Sequence, residues 1–456
     1  MVLISSDIIT RKSLKLLRYV NVFWKMYKFL KKSQWWDRDK LVEYQLEQLS
    51  RLLEHAYENV PFYRKIFDDH GLKPRDIQDL KDLKQLPIIT KDDVRNNLSK
   101  MTARNFPRHA IEYMNTGGST GDPLGFYVEK GATEAKEYAF IKSMWDRVAY
   151  HFWDKSVVLR GYTVPEDRLY RHAFLGRWLI LSSFHLDDKT IPLYLKKIQT
   201  FNPKYIMAYP SSITILAQYI KSRGISLKLN LKALLLGSEE VYPFQRQLLE
   251  EIFKTRVFSW YGQSEKVVLA GECEESTCYH IFPEYGITEV VDEKGRDVGY
   301  GKAGMVVGTS FLNYAMPLIR YYTGDLAILS DEKCGCGREY PLMKQVIGRA
   351  QDFIVTKGGK LIPLTALIFG QHFKTFSKIR QMQIVQEEKG VIKVKIVKGL
   401  DYTKEDEEEI YQKIKSIMGG ELDVFFEYCR KIPRTKLGKH RFLIQKLKIP
   451  LKTHFE

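Results

Sequence analysis

The stretch NTGGSTGDPLGF, Asn115–Phe126, sets Gly117, Gly118 and Gly121 among Thr116, Ser119 and Thr120, with Pro123 behind them. A turn needs one glycine, sometimes two. Three glycines among three hydroxyls describe a loop whose backbone must approach something closely. Successive backbone N–H groups in such a loop form an anion-binding nest, and the hydroxyls add donors. Phosphate is the ligand this chemistry fits. A flexible surface loop stays open as the alternative on this stretch alone. The loop is not of the Walker A kind, because no Lys-Ser/Thr follows its last glycine. LGFYVEK, just downstream, reads as a strand, and a glycine loop that leads into a strand departs from the strand–loop–helix order of Rossmann and Walker sites.

Upstream, LVEYQLEQLSRLLEHAYENV has apolar residues at helical spacing, from about Arg38 to Val60, and Pro61 ends it. One or two helices follow through DIQDLKDLKQLPIITKDDVRNNL. Downstream, SVVLRGY is strand-like. PKYIMAYPSSITILAQYIKSRG reads strand, turn, helix, and LKALLLGSEEVYPFQRQLLEEIFKTRVFSWYGQSE reads strand, loop, helix, strand, loop. Such alternation predicts an α/β fold with a largely parallel sheet. GITEVVDEKGRDVGYGKAGMVVGTSFLN breaks into short, glycine-punctuated strands, a small antiparallel β part. From about Asp352, the hairpin QMQIVQEEKGVIKVKIVKG, the acidic helix KEDEEEIYQKIKSIM and LDVFFEYC describe a small α+β domain.

The chain has 456 residues, more than one core serves, so two or three domains are expected. Its net charge of +17 would attract nucleic acid, anionic lipid or phosphorylated small molecules. No arginine-rich tract, zinc-finger spacing or RRM-type aromatic motif supports nucleic acid. No apolar run reaches about 18 residues, so no membrane span is expected. MVLISSDIITRK lacks the features of a signal peptide. Five cysteines make no disulfide framework, and a reducing cytoplasm fits best. Arg11–Trp36 interleaves basic residues with Leu, Phe, Tyr and Trp. It reads as a helical arm packed on the body with a solvated basic face, with an anionic membrane surface as the alternative.

Four further motifs carry chemistry. WYGQSE, Trp260–Glu265, offers an aromatic face beside a glycine and a carboxylate suited to magnesium, or simply a satisfied surface glutamate. In YYTGDLAIL, Asp325 follows a Thr-Gly turn, where an acid can bind ribose hydroxyls or simply cap the turn. IGRAQDFIVTKGGKLIP marks the junction with the small domain. In IPRTKLGKHRF, Lys439 follows Gly438 between Arg434 and Arg441, as a mobile cation or as part of a basic tail.

In this order, the five motifs resemble the series of the adenylate-forming superfamily of acyl-CoA synthetases and adenylation domains. Leu124 stands after Pro123 where the superfamily usually has lysine, and LLEHAYENVPFYRKIF precedes the loop closely. Both features look like the phenylacetate–CoA ligase branch, and RTKLGKHRF leans toward its CapK capsular polysaccharide relatives. The resemblance implies a large adenylation domain of several α/β and β parts, residues 51–350, behind an arm of residues 1–50. A small mobile α+β domain, 351–456, would follow a hinge near Gln351 and Asp352. It implies ATP phosphates held by Thr116, Gly117, Gly118, Ser119, Thr120 and Gly121, with Thr116 catalytic. Adenine would meet Gly237, Ser238 and Glu239 under a Tyr261 cap, with Gly262 and Gln263 also at the cofactor, the ribose Asp325 and Arg349, and magnesium Glu265. Lys439 would bridge the substrate carboxylate and the α-phosphate. Tyr209, Pro210, Ser211, Trp260 and Gln263 would line the acyl pocket. The acceptor is coenzyme A or, on the CapK side, an amino sugar or amino acid. A non-catalytic scaffold of polysaccharide assembly is the rival reading.

GECEESTCYHIF and CGCG bring cysteines together with a histidine. Thiolates and an imidazole suit a tetrahedral structural zinc, and some phenylacetate–CoA ligase relatives look alike here. The preferred set is Cys273, His280, Cys334 and Cys336, with Cys278 as a substitute and unliganded thiols as the alternative. Cys429 has no partner in sequence and reads as core.

Overall fold

The computed structural model describes residues 6–116, 124–161, 164, 168–349, 353–364, 367, 375, 378–435 and 438–447, with residues 6–16, 349 and 363 described by backbone alone. Two compact units divide the chain: Met1–Tyr150 with Trp260–Val346, and His151–Ser259 with Ile347–Glu456.

Unit one opens with the arm, helix α1 (Ser6–Ser33). Phe23 and Leu30 are buried, and the Tyr27 hydroxyl donates to Asp146 at 2.7 Å. The arm is therefore packed on the body. Among the described residues, no helix is long and apolar enough to cross a membrane. Helix α2 (Arg38–Asn59) starts where the Asp37 carboxylate accepts the Lys40 N–H. Pro61 not only ends α2 but occupies the first turn of α3 (Pro61–Asp69), where its missing N–H costs nothing. A Thr90–Asp93 capping box opens α4 (Lys91–Met101). Strands β1 (Ile111–Asn115) and β2 (Gly125–Glu129) pair antiparallel, with Asn115 opposite Gly125. The glycine loop is thus the connection of a hairpin, and its first strand was not anticipated. Helix α5 (Thr133–Trp145) follows; the ring of Tyr138 lies 5.6 Å from that of Phe23 on α1.

Unit two holds β3 (Ser156–Arg160), β4 (Tyr170–Ala173), β5 (Trp178–Ser182), α6 (Ile191–Phe201), β6 (Tyr205–Ala208), α7 (Pro210–Ser222), β7 (Ala233–Gly237) and α8 (Pro243–Phe253). Strands β5, β3, β6 and β7 lie parallel in that order, with β4 antiparallel at the edge. The apolar runs of β6 and β7 are buried throughout, as parallel strands under helices must be. Strand β8 (Arg256–Gly262) then leads the chain back to unit one.

There β9 (Leu269–Gly271), β10 (Tyr279–Ile281), β11 (Gly286–Val291), β12 (Ala303–Ser310), β13 (Tyr321–Ser330) and β14 (Leu342–Arg349) form the expected antiparallel part. Strand β9 pairs with the end of β8, placing Tyr261 opposite Ala270. A single core joins Leu52, Phe67, Phe126, Val268, Val306 and Tyr321.

The remainder of unit two is the small α+β part: β15 (Phe353–Val355), β16 (Leu361–Pro363), β17 (Ile379–Glu388), β18 (Val391–Lys398), α9 (Lys404–Met418), β19 (Asp423–Tyr428) and β20 (Leu443–Gln445). The predicted hairpin is β17–β18, in a sheet of order β19-β18-β17-β20. This part packs on α7 and α8: Gln218 donates to the Ile379 carbonyl at 2.8 Å, and the Phe442 ring meets Tyr242 edge-on at 5.4 Å. Cys429 is not core. It follows the outer strand β19, half-exposed, with its sulfur 3.5 Å from Glu427. The hinge residues Gln351 and Asp352 lie outside the described residues.

Candidate active site and metal centre

In unit one, the mouth of the glycine loop is zipped shut. The Thr116 N–H donates to the Leu124 carbonyl, and the Leu124 N–H to Thr116 Oγ1, both at 2.9 Å. This leaves the Thr116 hydroxyl hydrogen for a ligand. Gly117, Gly118, Ser119, Thr120 and Gly121 lie outside the described residues.

Strands β8 and β13 bring Tyr261 and Asp325 together. The Tyr261 hydroxyl donates to Asp325 Oδ2 at 2.7 Å, and the Asp325 N–H donates to Thr323 Oγ1 at 3.1 Å. Burial, reinforced by the Asp325 charge, raises the Tyr261 hydroxyl pKa well above its usual value, so it stays a donor. Gln263 Oε1 accepts the Val268 N–H at 3.1 Å, and its side chain also donates toward the Tyr261 hydroxyl. Gly262 follows Tyr261 on β8, where a Cβ would stand 3.2 Å from Leu269. Glu265 is buried and accepts from the Tyr321 hydroxyl at 3.1 Å. Tyr321 and Thr323, which position these acids, escaped the sequence reading; both share the YYTGD motif with Asp325. Arg349 ends β14. Trp260 meets Trp145 edge-on at 5.7 Å.

In unit two, Gly237 ends β7 and Ser238 follows at φ 70°. Glu239 is turned inward. Its carboxylate accepts the Ser211 N–H at 2.9 Å, the Ser211 hydroxyl at 3.1 Å and the His440 N–H at 3.1 Å. Burial raises its pKa, against the hydrogen bonds from Ser211 and the charges of Arg434 and Lys439. Glu239 thereby ties the start of α7 to the Lys439 loop. That loop turns at Gly438 (φ 76°), where a Cβ would stand 2.4 Å from Ser183 Oγ. Arg434 donates to Ser212 Oγ at 3.0 Å and to the Gly438 carbonyl at 2.8 Å. The Thr435 N–H donates to the Lys439 carbonyl at 2.9 Å. Lys439 Nζ lies 5.8 Å from the centroid of the Tyr209 ring. Lys439, Tyr209, Ser211 and Glu239, candidates from three motifs, thus share one locus.

His440 was missed. It is buried, its Nε2–H donates to the Met382 carbonyl at 2.7 Å, and Nδ1 has no partner among the described residues. Burial, with the Arg434 charge, pushes its pKa down to about 4. A depressed pKa means that the neutral ring stabilises the fold above the unfolded value of about 6.5, and that this is lost as pH falls toward 4. The expected loss from this group is about 2 kcal/mol between pH 7 and pH 5. Urea unfolding at both pH values should therefore show a smaller pH effect in His440→Gln than in the wild type; equal effects would refute this account of the ring.

The thiols lie in unit one. Cys273, His280, Cys334 and Cys336 bring one ligand atom each within 4.8 Å of all the others. Cys273 and Cys334 sulfurs are 3.5 Å apart, and Cys336 Sγ is 3.3 Å from His280 Nε2. With zinc–sulfur bonds of about 2.3 Å, a tetrahedron has S–S edges near 3.8 Å, so the set matches a Cys₃His site. Cys278 stays outside the set and serves through its backbone: its carbonyl, 3.2 Å from His280 Nδ1, takes that N–H and leaves Nε2 to face the thiols. Burial lowers the His280 pKa to about 4, which keeps the ring neutral, as a ligand requires. Arg338 supports the site, paired with Glu274 at 2.8 and 3.0 Å. Burial alone would raise the Cys336 thiol, but hydrogen bonds from Arg338 and its charge bring the pKa below the usual value. Arg147 donates to the Gly271 and Glu272 carbonyls that lead into Cys273, at 3.1 and 2.9 Å. These arginines carry no motif of their own in the sequence.

The phenylacetate-coenzyme A ligase of Thermus thermophilus is 31% identical over 338 residues, 72% of this chain and 74% of that protein. The chain belongs to the phenylacetate–coenzyme A ligase family. Protein CapK of Staphylococcus aureus is 25% identical over 415 residues, 90% of each chain. Residues 354–446 match the family model of the CapK C-terminal domain. A 2-hydroxyisobutyryl-CoA ligase, solved in the post-adenylation state with 2-HIB-AMP, superposes with a TM-score of 0.72 at 19% identity, covering 91% of this chain and 93% of its own. The ligase family's fold thus extends over nearly the whole chain.

Proposed function

We propose that this ligase activates a small carboxylic acid with ATP, releases pyrophosphate, and passes the acyl group from the adenylate to coenzyme A. The observation that carries the reading is Lys439, held on its Gly438 turn beside Tyr209 and the start of α7, in a chain of this family. The substrate carboxylate and the α-phosphate are both anions. In unit two, Lys439 supplies a cation that offsets this repulsion; in unit one, Thr116 and the loop N–H groups are donors for phosphate, and Glu265 would hold magnesium. Magnesium, when bound, supplies a countercharge for the phosphates. Asp325, held by Tyr261, accepts hydrogen bonds from the ribose hydroxyls. An aromatic acid is the first candidate, given the Tyr209 ring beside Lys439. Cys273, His280, Cys334 and Cys336 would hold zinc as a four-ligand structural site that ties together segments distant in sequence. Retention of Lys439, Asp325 and Glu265 together argues against a scaffold role.

Asp325→Asn is expected to raise the KM for ATP roughly tenfold or more, the worth of a hydrogen bond to a charged group, with a smaller effect on kcat. Steady-state pyrophosphate release over a range of ATP concentrations measures it, and an unchanged KM would remove Asp325 from the ribose site.

The CapK match favours a second reading of the acceptor, an amino sugar or amino acid of surface polysaccharide synthesis. Coenzyme A dependence separates the two. The enzyme is read as cytoplasmic. Leu17, Val20 and Trp24 on the exposed side of α1, among lysines and arginines, would give it peripheral contact with the inner face of the membrane.

A further inference from the structure

Unit two carries a surface that the adenylation chemistry does not use. Strands β4 and β5 are joined by Phe174, Leu175, Gly176 and Arg177, and the Arg177 N–H closes the turn on the Phe174 carbonyl at 3.0 Å. Phe174 (φ 48°), Leu175 (φ 52°) and Gly176 (φ 79°) are all left-handed. A hairpin turn with positive φ at both central residues ordinarily takes Asn-Gly or Asp-Gly, because bulkier side chains strain there. Here the apex is a leucine, 85% exposed. The Phe174 ring lies 5.9 Å from that of Trp153, itself 62% exposed, and 5.6 Å from that of Trp178. Leu169 and Tyr170, at the other end of β4, are exposed as well. The backbone is strained so that apolar side chains can stand in water, which points to a partner less polar than water.

The surroundings are basic. Lys197 Nζ stands 4.2 Å from the centroid of the Tyr170 ring, and Lys155 Nζ 5.3 Å from that of Phe201. Arg168 and Arg177 are exposed. Asp154, next to Trp153, is buried and bonded to Lys204 at 2.7 Å. Glu166 and Asp167 lie outside the described residues.

We propose that the β4–β5 tip is a finger that enters an anionic phospholipid surface. Leu175 and Phe174 reach the acyl boundary, Trp153 and Tyr170 sit at the headgroups, and Lys155, Arg177 and Lys197 meet lipid phosphates. A protein partner of stable affinity needs about 20–30 residues on each side, more than one hairpin tip presents. The inference is separate from the reaction assigned above and from any contact made by α1.

The test is cosedimentation of the full chain with vesicles of phosphatidylcholine, alone or with a quarter phosphatidylglycerol, at low and high salt. Leu175→Asn removes the apolar apex and puts in a residue that tolerates positive φ, so the fold is kept; a thermal melt checks this. The wild type should bind the mixed vesicles, weakly at high salt, and Leu175→Asn should bind roughly tenfold less, as loss of one inserted leucine implies. Arg177→Gln should weaken binding only to the anionic vesicles. Three results would overturn the proposal. One is no binding by the wild type. Another is equal binding by Leu175→Asn, with loss appearing instead in a Leu17→Ser/Trp24→Ser variant of α1. The third is a dimer in sedimentation velocity that Leu175→Asn abolishes, which would assign the tip to a second copy.

Discussion

Replacing Lys439 with alanine should slow adenylate formation about 10²–10³-fold, the effect of removing one preorganised charge partner from a transition state. The reasoning rests on where the lysine stands. Its loop is fixed by Gly438, by the Arg434 bond to the Gly438 carbonyl, and by the Glu239 carboxylate on the His440 N–H. These anchors are backbone contacts, so the alanine variant keeps them and keeps its fold. The KM for ATP should change only a few-fold, since the lysine acts where the acid meets the α-phosphate. Single-turnover measurement of acyl-adenylate in the variant and wild type, with thermal melts of both, decides the matter. A variant that makes adenylate at the normal rate would take Lys439 out of the chemistry.

The other large effect concerns the thiols. The purified chain should carry one zinc, and Cys336→Ser should lose it. The metal's binding free energy is then lost from the folded state, and the expected destabilisation is about 4 kcal/mol or more, in the range that marks loss of a metal site. For a unit of this size, that corresponds to a fall in Tm of roughly 10 °C. Cys278→Ser should keep the zinc, because residue 278 contributes its carbonyl and not its sulfur. Cys429→Ser should be silent, since that thiol stands half-exposed beside β19. Zinc content by elemental analysis and melting curves of the three variants give the result. Zinc lost from Cys278→Ser and kept in Cys336→Ser would reverse the assignment of ligands.

Much of the fold and of the candidate site was legible because the motifs are local in sequence. The glycine loop, the Tyr261 and Asp325 motifs and the Lys439 turn each occupy a few consecutive residues. Strands β6 and β7 and helices α7 and α8 were legible from apolar runs and helical spacing. Short strands were not: β9 and β10 span three residues each, too few for a period-two pattern to emerge. Strand β4 lies at a sheet edge, alternating exposed and half-buried residues, so no apolar stripe marks it. Tertiary pairing also hid residues that matter. Arg147 lies more than a hundred positions from the backbone it braces at Cys273, and His440 gains its role only when the small α+β part packs against α7. Cys429 shows the opposite error: a lone cysteine looks like core until the outer position of its strand is known.

The central claim is that an acid is first joined to AMP and then passed to a thiol. The most direct test mixes the enzyme with ATP, magnesium and phenylacetate or other aryl and short-chain acids, with and without coenzyme A, and follows pyrophosphate. The account predicts a single-turnover burst without coenzyme A and continuous release with it, along with AMP and an acyl-CoA. A burst that coenzyme A leaves unrelieved, but an amino sugar or amino acid relieves, would contradict thioester formation and place the enzyme with its CapK relatives. Release of ADP and phosphate in place of AMP and pyrophosphate would contradict adenylation itself.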